Sequence, residues 1–310
     1  MNLVFCGTPA FAVPTFKAVL DAGHHIALAV TQPDRPVGRT AEMTAPPVKL
    51  AAIEAGVPVA QPEKIKTNAE FRAQLEAIAP DAILVVAYGR IIPKWMLDLP
   101  RHGNINLHGS LLPKYRGAAP IQWAVASGET VTGNTTMRID EGLDTGDMLL
   151  QRELAVGPDQ TSADVYPLLA EMGAGLMVET LAGLEAGTLQ AQKQDDSLAT
   201  HAPILTRDDA RIDFSQSAAT IYNRWRGFQP WPGAWTMMNG KKLTVHQLKP
   251  VEQASVEPGT MNVASGKLIV GCGQGTAIEL IEVQLEGKKR MPAADFLRGY
   301  QLKTGDRLGQ

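Results

Sequence analysis

The chain has 310 residues, of which 45% are hydrophobic and 20% charged, with a formal net charge of −3. That is the composition of a globular protein, and the length suits two domains better than one. The net charge gives no support for a nucleic-acid partner. Its distribution says more. Residues 206–310 hold 14 Lys+Arg against 10 Asp+Glu, and the rest hold 15 against 22. A mildly basic C-terminal part is compatible with RNA contact, although a mixed solvated surface shows such an excess about as often.

No apolar run reaches the roughly 18 residues that span a bilayer. The start, MNLVFCGTP, lacks the basic region and long apolar stretch of a signal peptide. No membrane partner is expected, and the expected location is cytoplasmic. Cys6 and Cys272 are far apart and belong to no CxxC pair, so a disulfide framework or a cysteine zinc site is not expected. Each reads as a small buried hydrophobe.

Along the first half, strand and helix signals alternate. A short apolar run at 3–5 closes at Gly7, and a helix over 13–22 ends before Gly23. A strand covers 26–30. Helical stretches follow at 51–55 and 68–78. AILVVA at 82–87 is a continuous apolar run, as expected for a strand buried on both faces. The next strand spans 104–107, and Pro120 opens a helix reaching Ala126. Leu168, Met172 and Leu176 recur at helical spacing within a long helix over about 162–185. The alternation predicts an α/β fold with a doubly wound parallel sheet. Past residue 188 the pattern changes. Residues 190–207 are polar and aperiodic and read as a linker. Short strands at 243–248, 267–270 and 277–283, separated by Asn239-Gly240, Pro258-Gly259 and a glycine-rich turn, predict a small β-barrel. The predicted organisation is a catalytic domain over 1–189, a linker over 190–207 and a C-terminal domain over 208–310.

Asn106 and His108 are two residues apart at the end of a predicted strand, so both side chains point to one side. In open α/β sheets that end is where ligands bind. An isolated Asn-x-His pair is more often a core histidine beside a turn asparagine. The octet DEGLDTGD at 140–147 is an acidic, glycine-bearing turn without EF-hand spacing. It reads at even odds as a solvated loop or as a turn that sends Asp144 inward to pair with His108. GxGxxG, GxxxxGK[ST] and HExxH are absent, which excludes dinucleotide, P-loop and zincin motifs. No metal is expected. Trp225, Trp231 and Trp235, with Arg224 and Arg226 alongside, could stack on unpaired bases. More often such a cluster seals a barrel core or a domain junction.

Together, the segments LVFCGTPAFAVP, TQPDRPVGR, AYGRIIP, NLHGSLLPKYRGAAPIQWA, DEGLDTGD, ARIDF and QPWPGAW resemble the methionyl-tRNA formyltransferases over essentially the whole chain. The resemblance implies a Rossmann-like formyltransferase domain followed by an OB-like β-barrel that assists tRNA binding. It implies Asn106, His108 and Asp144 as the catalytic trio. Folate is implied near Ser110, Leu111, Leu112 and Pro113, with its pterin beside Tyr88, Gly89, Arg90, Ile91 and Ile92. The implied donor is 10-formyltetrahydrofolate. The implied acceptor is the α-amino group of methionyl-initiator tRNA, gripped in part by Arg39, and a monomer is expected. The central core and acidic turn are shared among folate-dependent formyltransferases, so the alternative acceptor is a small amine such as an amino sugar. Two departures stand out. Arg39 is followed by Thr40-Ala41-Glu42-Met43 where the family is commonly glycine- and lysine-rich, and Ile204 stands where a lysine is frequent.

Overall fold

The apolar runs at 3–6 and 82–86 are fully covered and lie side by side as parallel strands, as their unbroken hydrophobicity requires. They belong to a computed structural model that describes residues 1–38, 41–251 and 256–309. The chain divides into two compact units. One comprises Met1–Pro120, Val131–Ala155 and Val165–Pro203; the other comprises Ile121–Thr130, Val156–Asp164 and the residues from 204 onward.

The first unit contains β1 (Asn2–Gly7), β2 (His25–Val30), β3 (Arg35–Val37), β4 (Glu42–Thr44), β5 (Val59–Ala60), β6 (Ala82–Val86), β7 (Asn104–His108), β8 (Val131–Arg138) and β9 (Met148–Ala155). Seven of these form one sheet in the order β5-β2-β1-β6-β7-β8-β9, and β3 pairs with β4 as a separate hairpin. The first five strands of the order are parallel. From β1 the chain winds outward first through β2 and β5, then returns to the other side through β6 and β7, which places a topological switch between β1 and β6. β8 runs antiparallel to β7, and β9 antiparallel to β8. The sheet is therefore mixed, where alternation alone predicts a parallel one. β8 and β9 have no helix between them, and the acidic turn joins them as a hairpin needs.

The helices up to residue 185 are α1 (Val13–Asp21), α2 (Pro47–Glu54), α3 (Ala69–Ile78), α4 (Lys94–Leu97), α5 (Pro120–Ala126), which past Pro120 belongs to the second unit, and α6 (Ser162–Glu185). Asn68 caps α3 by accepting the Phe71 amide through its side chain, which explains why the helix begins there. α6 is long and apolar enough to cross a membrane by length and composition. Here Val165, Leu169, Leu176, Met177, Leu181 and Leu184 are buried within the protein. The helical spacing of Leu168, Met172 and Leu176 marks α6 correctly, but Leu168 is 44% exposed and the buried stripe runs instead through Val165, Leu169, Leu176 and Met177. α6 lies against one face of β7 and β8. Gly173 packs on Leu107, leaving no room for a Cβ (2.6 Å from Leu107 Cδ2), and the Asn134 amide donates to the Leu169 carbonyl at 2.7 Å.

The second unit contains α7 (Ala218–Gly227), then β10 (Trp235–Met238), β11 (Lys241–Val251), β12 (Met261–Ala264), β13 (Lys267–Gly271), β14 (Ala277–Leu285), β15 (Met291–Pro292) and α8 (Ala293–Tyr300). The strands form an antiparallel sheet ordered β10-β11-β14-β13-β12, with β15 on β14. Leu243, Val245, Leu268, Val270, Ile278, Leu280 and Val283 alternate inward and build its core with Phe296 of α8. Residues 305–309 link the two outer strands. Gly305 donates to the Met261 carbonyl, Met261 donates to that of Asp306, and Gly309 donates to that of Met237. Cys6 and Cys272 are both buried, and burial pushes the Cys272 thiol up to about 12.

Candidate active site

Because α6 takes the face that carries Leu107, the alternating residues Asn106 and His108 point to the opposite face of β7. They lie at the carboxyl end of a parallel strand, next to β6 and across from Met137 and Thr135 of β8. His108 is 5% exposed. Its Nε2 donates to the Tyr115 carbonyl at 2.9 Å. A carbonyl can only accept, so Nε2 carries a proton and Nδ1 is the ring atom left for chemistry. Nδ1 faces Asp144 Oδ2 at 3.7 Å, close enough for an ion pair with an imidazolium but longer than a hydrogen bond. Asn106 is half-buried, and among the described residues its side-chain amide makes no hydrogen bond.

The acidic turn divides its carboxylates by task. Asp140 accepts the Gly142 amide and the Thr145 hydroxyl, forming a local turn. Glu141 is exposed and lies 3.5 Å from the Lys94 ammonium. Asp144 turns inward, with φ +54, and its Oδ2 accepts the Gly117 amide at 2.8 Å. The turn therefore carries an inward carboxylate and is more than a solvated acidic loop.

Sequence reasoning missed Arg116 and Gln194. Arg116 lay inside a quoted motif without a role, and Gln194 fell in the polar stretch read as a linker. Both are about 95% buried. Gln194 Oε1 accepts from Arg116 Nε and Nη2 at 3.0 and 2.8 Å, while Gln194 Nε2 donates to the carbonyls of Asp144 and Gly146 at 2.8 and 2.7 Å. Only the density of hydrogen bonds reveals them, and a lone glutamine between polar neighbours carries no periodic signal.

The residues implied for folate fall into two groups. Ser110 is fully buried and donates to the Lys114 carbonyl at 2.7 Å, and Leu112 packs with Met137 and Met148. Both shape the turn from within, and Leu111 and Pro113 are half-buried. After β6, Tyr88 turns into the core, where burial pushes its phenol up and leaves the hydroxyl without a partner among the described residues. Gly89 is exposed, Ile91 is 91% exposed and Ile92 is buried. Arg90 donates to Gln32 at 3.0 Å. An exposed isoleucine beside a fixed turn offers an apolar edge to a flat ring. Arg39 lies outside the described residues. Lys49, the first lysine after it, is held by Asp34 at 2.7 Å, and Gln61 also donates to Asp34 at 2.7 Å. The hydrogen bonds from Lys49 and Gln61 hold the Asp34 carboxyl below its usual value.

The tryptophan cluster separates into different environments. Trp231 is 53% exposed, whereas Trp225 stacks on Tyr222 with ring centroids 5.5 Å apart. Arg226 is buried and donates to the carbonyls of Gly157 and Gln160. Arg224 lies over Phe228 and Trp123. Lys242 and Arg211 flank Trp235.

Comparison with known proteins agrees with this geometry. Residues 1–181 match the formyl transferase family model and residues 204–301 its C-terminal domain, so fold and site define a formyl transferase. The chain is 70% identical to a methionyl-tRNA formyltransferase of Acidobacterium capsulatum over 310 residues, covering all of both chains. It is 60% identical to that of Koribacter versatilis, covering 100% of this chain and 99% of the relative. The chain belongs to the methionyl-tRNA formyltransferase family. Solved structures share the fold at low identity. An N-formyltransferase from Helicobacter canadensis, in complex with folinic acid and dTDP-3-aminofucose, matches with TM-score 0.66 at 17% identity, over 90% of this chain and 98% of its own. The sugar 3N-formyl transferase WlaRD matches with TM-score 0.65 at 16% identity, over 93% and 99%.

Proposed function

We propose that this chain transfers the formyl group of 10-formyltetrahydrofolate to the α-amino group of methionyl-initiator tRNA, the modification that marks the first residue for translation initiation. The observation that carries the reading is the convergence of Asn106, His108 and Asp144 at the carboxyl end of β7, in a chain 70% identical to an enzyme of that name. The sugar-directed structures share only the fold, so an amino-sugar acceptor gains no support from them.

In the reaction the neutral amine attacks the formyl carbon. A new C–N bond forms as the carbonyl electrons move onto oxygen. Collapse of that intermediate breaks the bond to N10, and the proton lost by the amine ends on N10. The side-chain amide of Asn106 donates to the oxyanion. His108 either donates to it from Nδ1 or relays the proton through Nδ1, because Nε2 is held by Tyr115. Asp144 stabilises the imidazolium and fixes the ring. One preorganised donor of this kind is worth about 3 kcal/mol, or roughly 10²-fold in rate. Attack by the substrate's own amine requires no covalent enzyme intermediate.

Ser110, Leu111, Leu112 and Pro113 form the wall along which folate lies, with the pterin against Tyr88, Gly89, Arg90, Ile91 and Ile92. The half-exposed Leu111 and Pro113 and the exposed Ile91 support contact, while Ser110 and Leu112 act by shaping the turn. The second unit and Arg39 assist tRNA binding, and the enzyme works as a cytoplasmic monomer. The test is formylation with 10-formyltetrahydrofolate and charged initiator tRNA, with uncharged and elongator tRNAs as controls. Formate released without acceptor would replace the transferase reading with a hydrolase.

A further inference from the structure

The four hydrogen bonds of Gln194 form a matched set. Its oxygen receives two N–H groups from one guanidinium, and its nitrogen gives two N–H groups to the carbonyls on either side of Thr145. Rotating the amide by half a turn would set oxygen against two carbonyls and NH₂ against the guanidinium, so one orientation is fixed. Arg116 is itself anchored. Its Nη2 reaches Asp196 at 2.7 Å, and its main chain exchanges hydrogen bonds with Thr200 and Ala202. Asp144 thus has two tethers. Its carboxylate is held by the Gly117 amide, and its carbonyl is held by Gln194. A residue at φ +54 is disfavoured without glycine's freedom, so the inward turn of Asp144 relies on such tethers.

We propose that Gln194 is a positioning residue for formyl transfer, with Arg116 orienting its amide. It holds the backbone of the acidic turn so that Asp144 faces Nδ1 of His108. The proposal rests on the reading of His108 and Asp144 as the reacting pair. It assigns a role in the reaction to the polar segment following residue 190.

Gln194→Glu is the test, because it keeps the size and the bond to Arg116 but replaces the two donated hydrogen bonds with repulsion. The expected result is a fall of about 30-fold or more in kcat, with KM for folate and for tRNA within about threefold of the parent. The effect runs through Asp144, so adding Gln194→Glu to Asp144→Asn should cost no more than about twofold further. A merely structural role would instead lower kcat independently of Asp144, and the losses would multiply. A kcat loss below tenfold, or multiplicative losses, overturns the proposal. If Gln194→Glu does not fold, Gln194→Met, uncharged and of similar volume, is read by the same criteria. Failure of the parent enzyme to formylate charged initiator tRNA would instead sink the functional reading itself.

Discussion

Nε2 of His108 and the main-chain carbonyl of Tyr115 lie 2.9 Å apart, joined across the turn that follows β7. The contact holds one ring nitrogen as a donor and turns the other toward Asp144. In the proposed reaction that leaves a single ring atom, Nδ1, to handle a proton.

Removal of either donor should slow chemistry without abolishing folate binding. His108→Ala and Asn106→Ala are each expected to lower kcat/KM by about 10²- to 10³-fold, the loss of one oxyanion donor. Folate affinity, measured by fluorescence titration, should stay within about threefold. Unchanged formylation by His108→Ala would remove that residue from the mechanism.

Gly117 sits at φ +129, where a Cβ would lie 2.5 Å from the Ala202 carbonyl oxygen. Gly117→Ala is therefore strained in its backbone and blocked by main chain. The expected cost is about 1–3 kcal/mol of stability, seen as a Tm lower by several degrees. Its amide also anchors Asp144, so kcat should fall beyond what partial unfolding explains. A variant with parental melting and turnover would contradict both points.

Asp34 ties the segment before Arg39 to Lys49 and Gln61. Its carboxyl is held below the ordinary value of 3.8, so the folded state favours the charged form. That stabilisation is fully present above the ordinary value and is lost as pH falls through the depressed one. Asp34→Asn should melt lower than the parent at pH 7, and the difference should shrink on acidification below pH 4. A gap that widens in acid would refute the assignment.

Arg39→Ala should raise KM for tRNA several-fold and leave KM for folate unchanged, with the defect shrinking at higher salt, because the variant makes one fewer phosphate contact for salt to screen. Equal losses for the two substrates would remove Arg39 from tRNA recognition.

The parallel strands and α6 were legible because continuous apolar runs and 3.6-residue spacing report burial directly. Pro120 and Asn68 marked helix starts through their own chemistry. The β8–β9 hairpin was not legible. Its strands mix threonine, glycine, asparagine and methionine, and β9 finds its strand partner only in β8. Asn106 and His108 shared a face by strand geometry alone, but the inward turn of Asp144 did not follow from DEGLDTGD. It depends on the Gly117 amide and the Gln194 side chain, which are distant in sequence. Contacts of that kind leave no period and no motif, so a hydrogen-bonded brace read as a featureless tether.

The bridge made by residues 305–309 between β12 and β10 bears on the order in which the chain acquires structure. A polypeptide made from its N-terminus presents both outer strands before the segment that joins them exists. Until then each strand offers unpaired amides and carbonyls to any neighbouring chain. Sealing is the last step in building that sheet. Substitutions near Leu308, which is 3% exposed, should therefore show up first in the yield of soluble protein and only second in its catalytic rate.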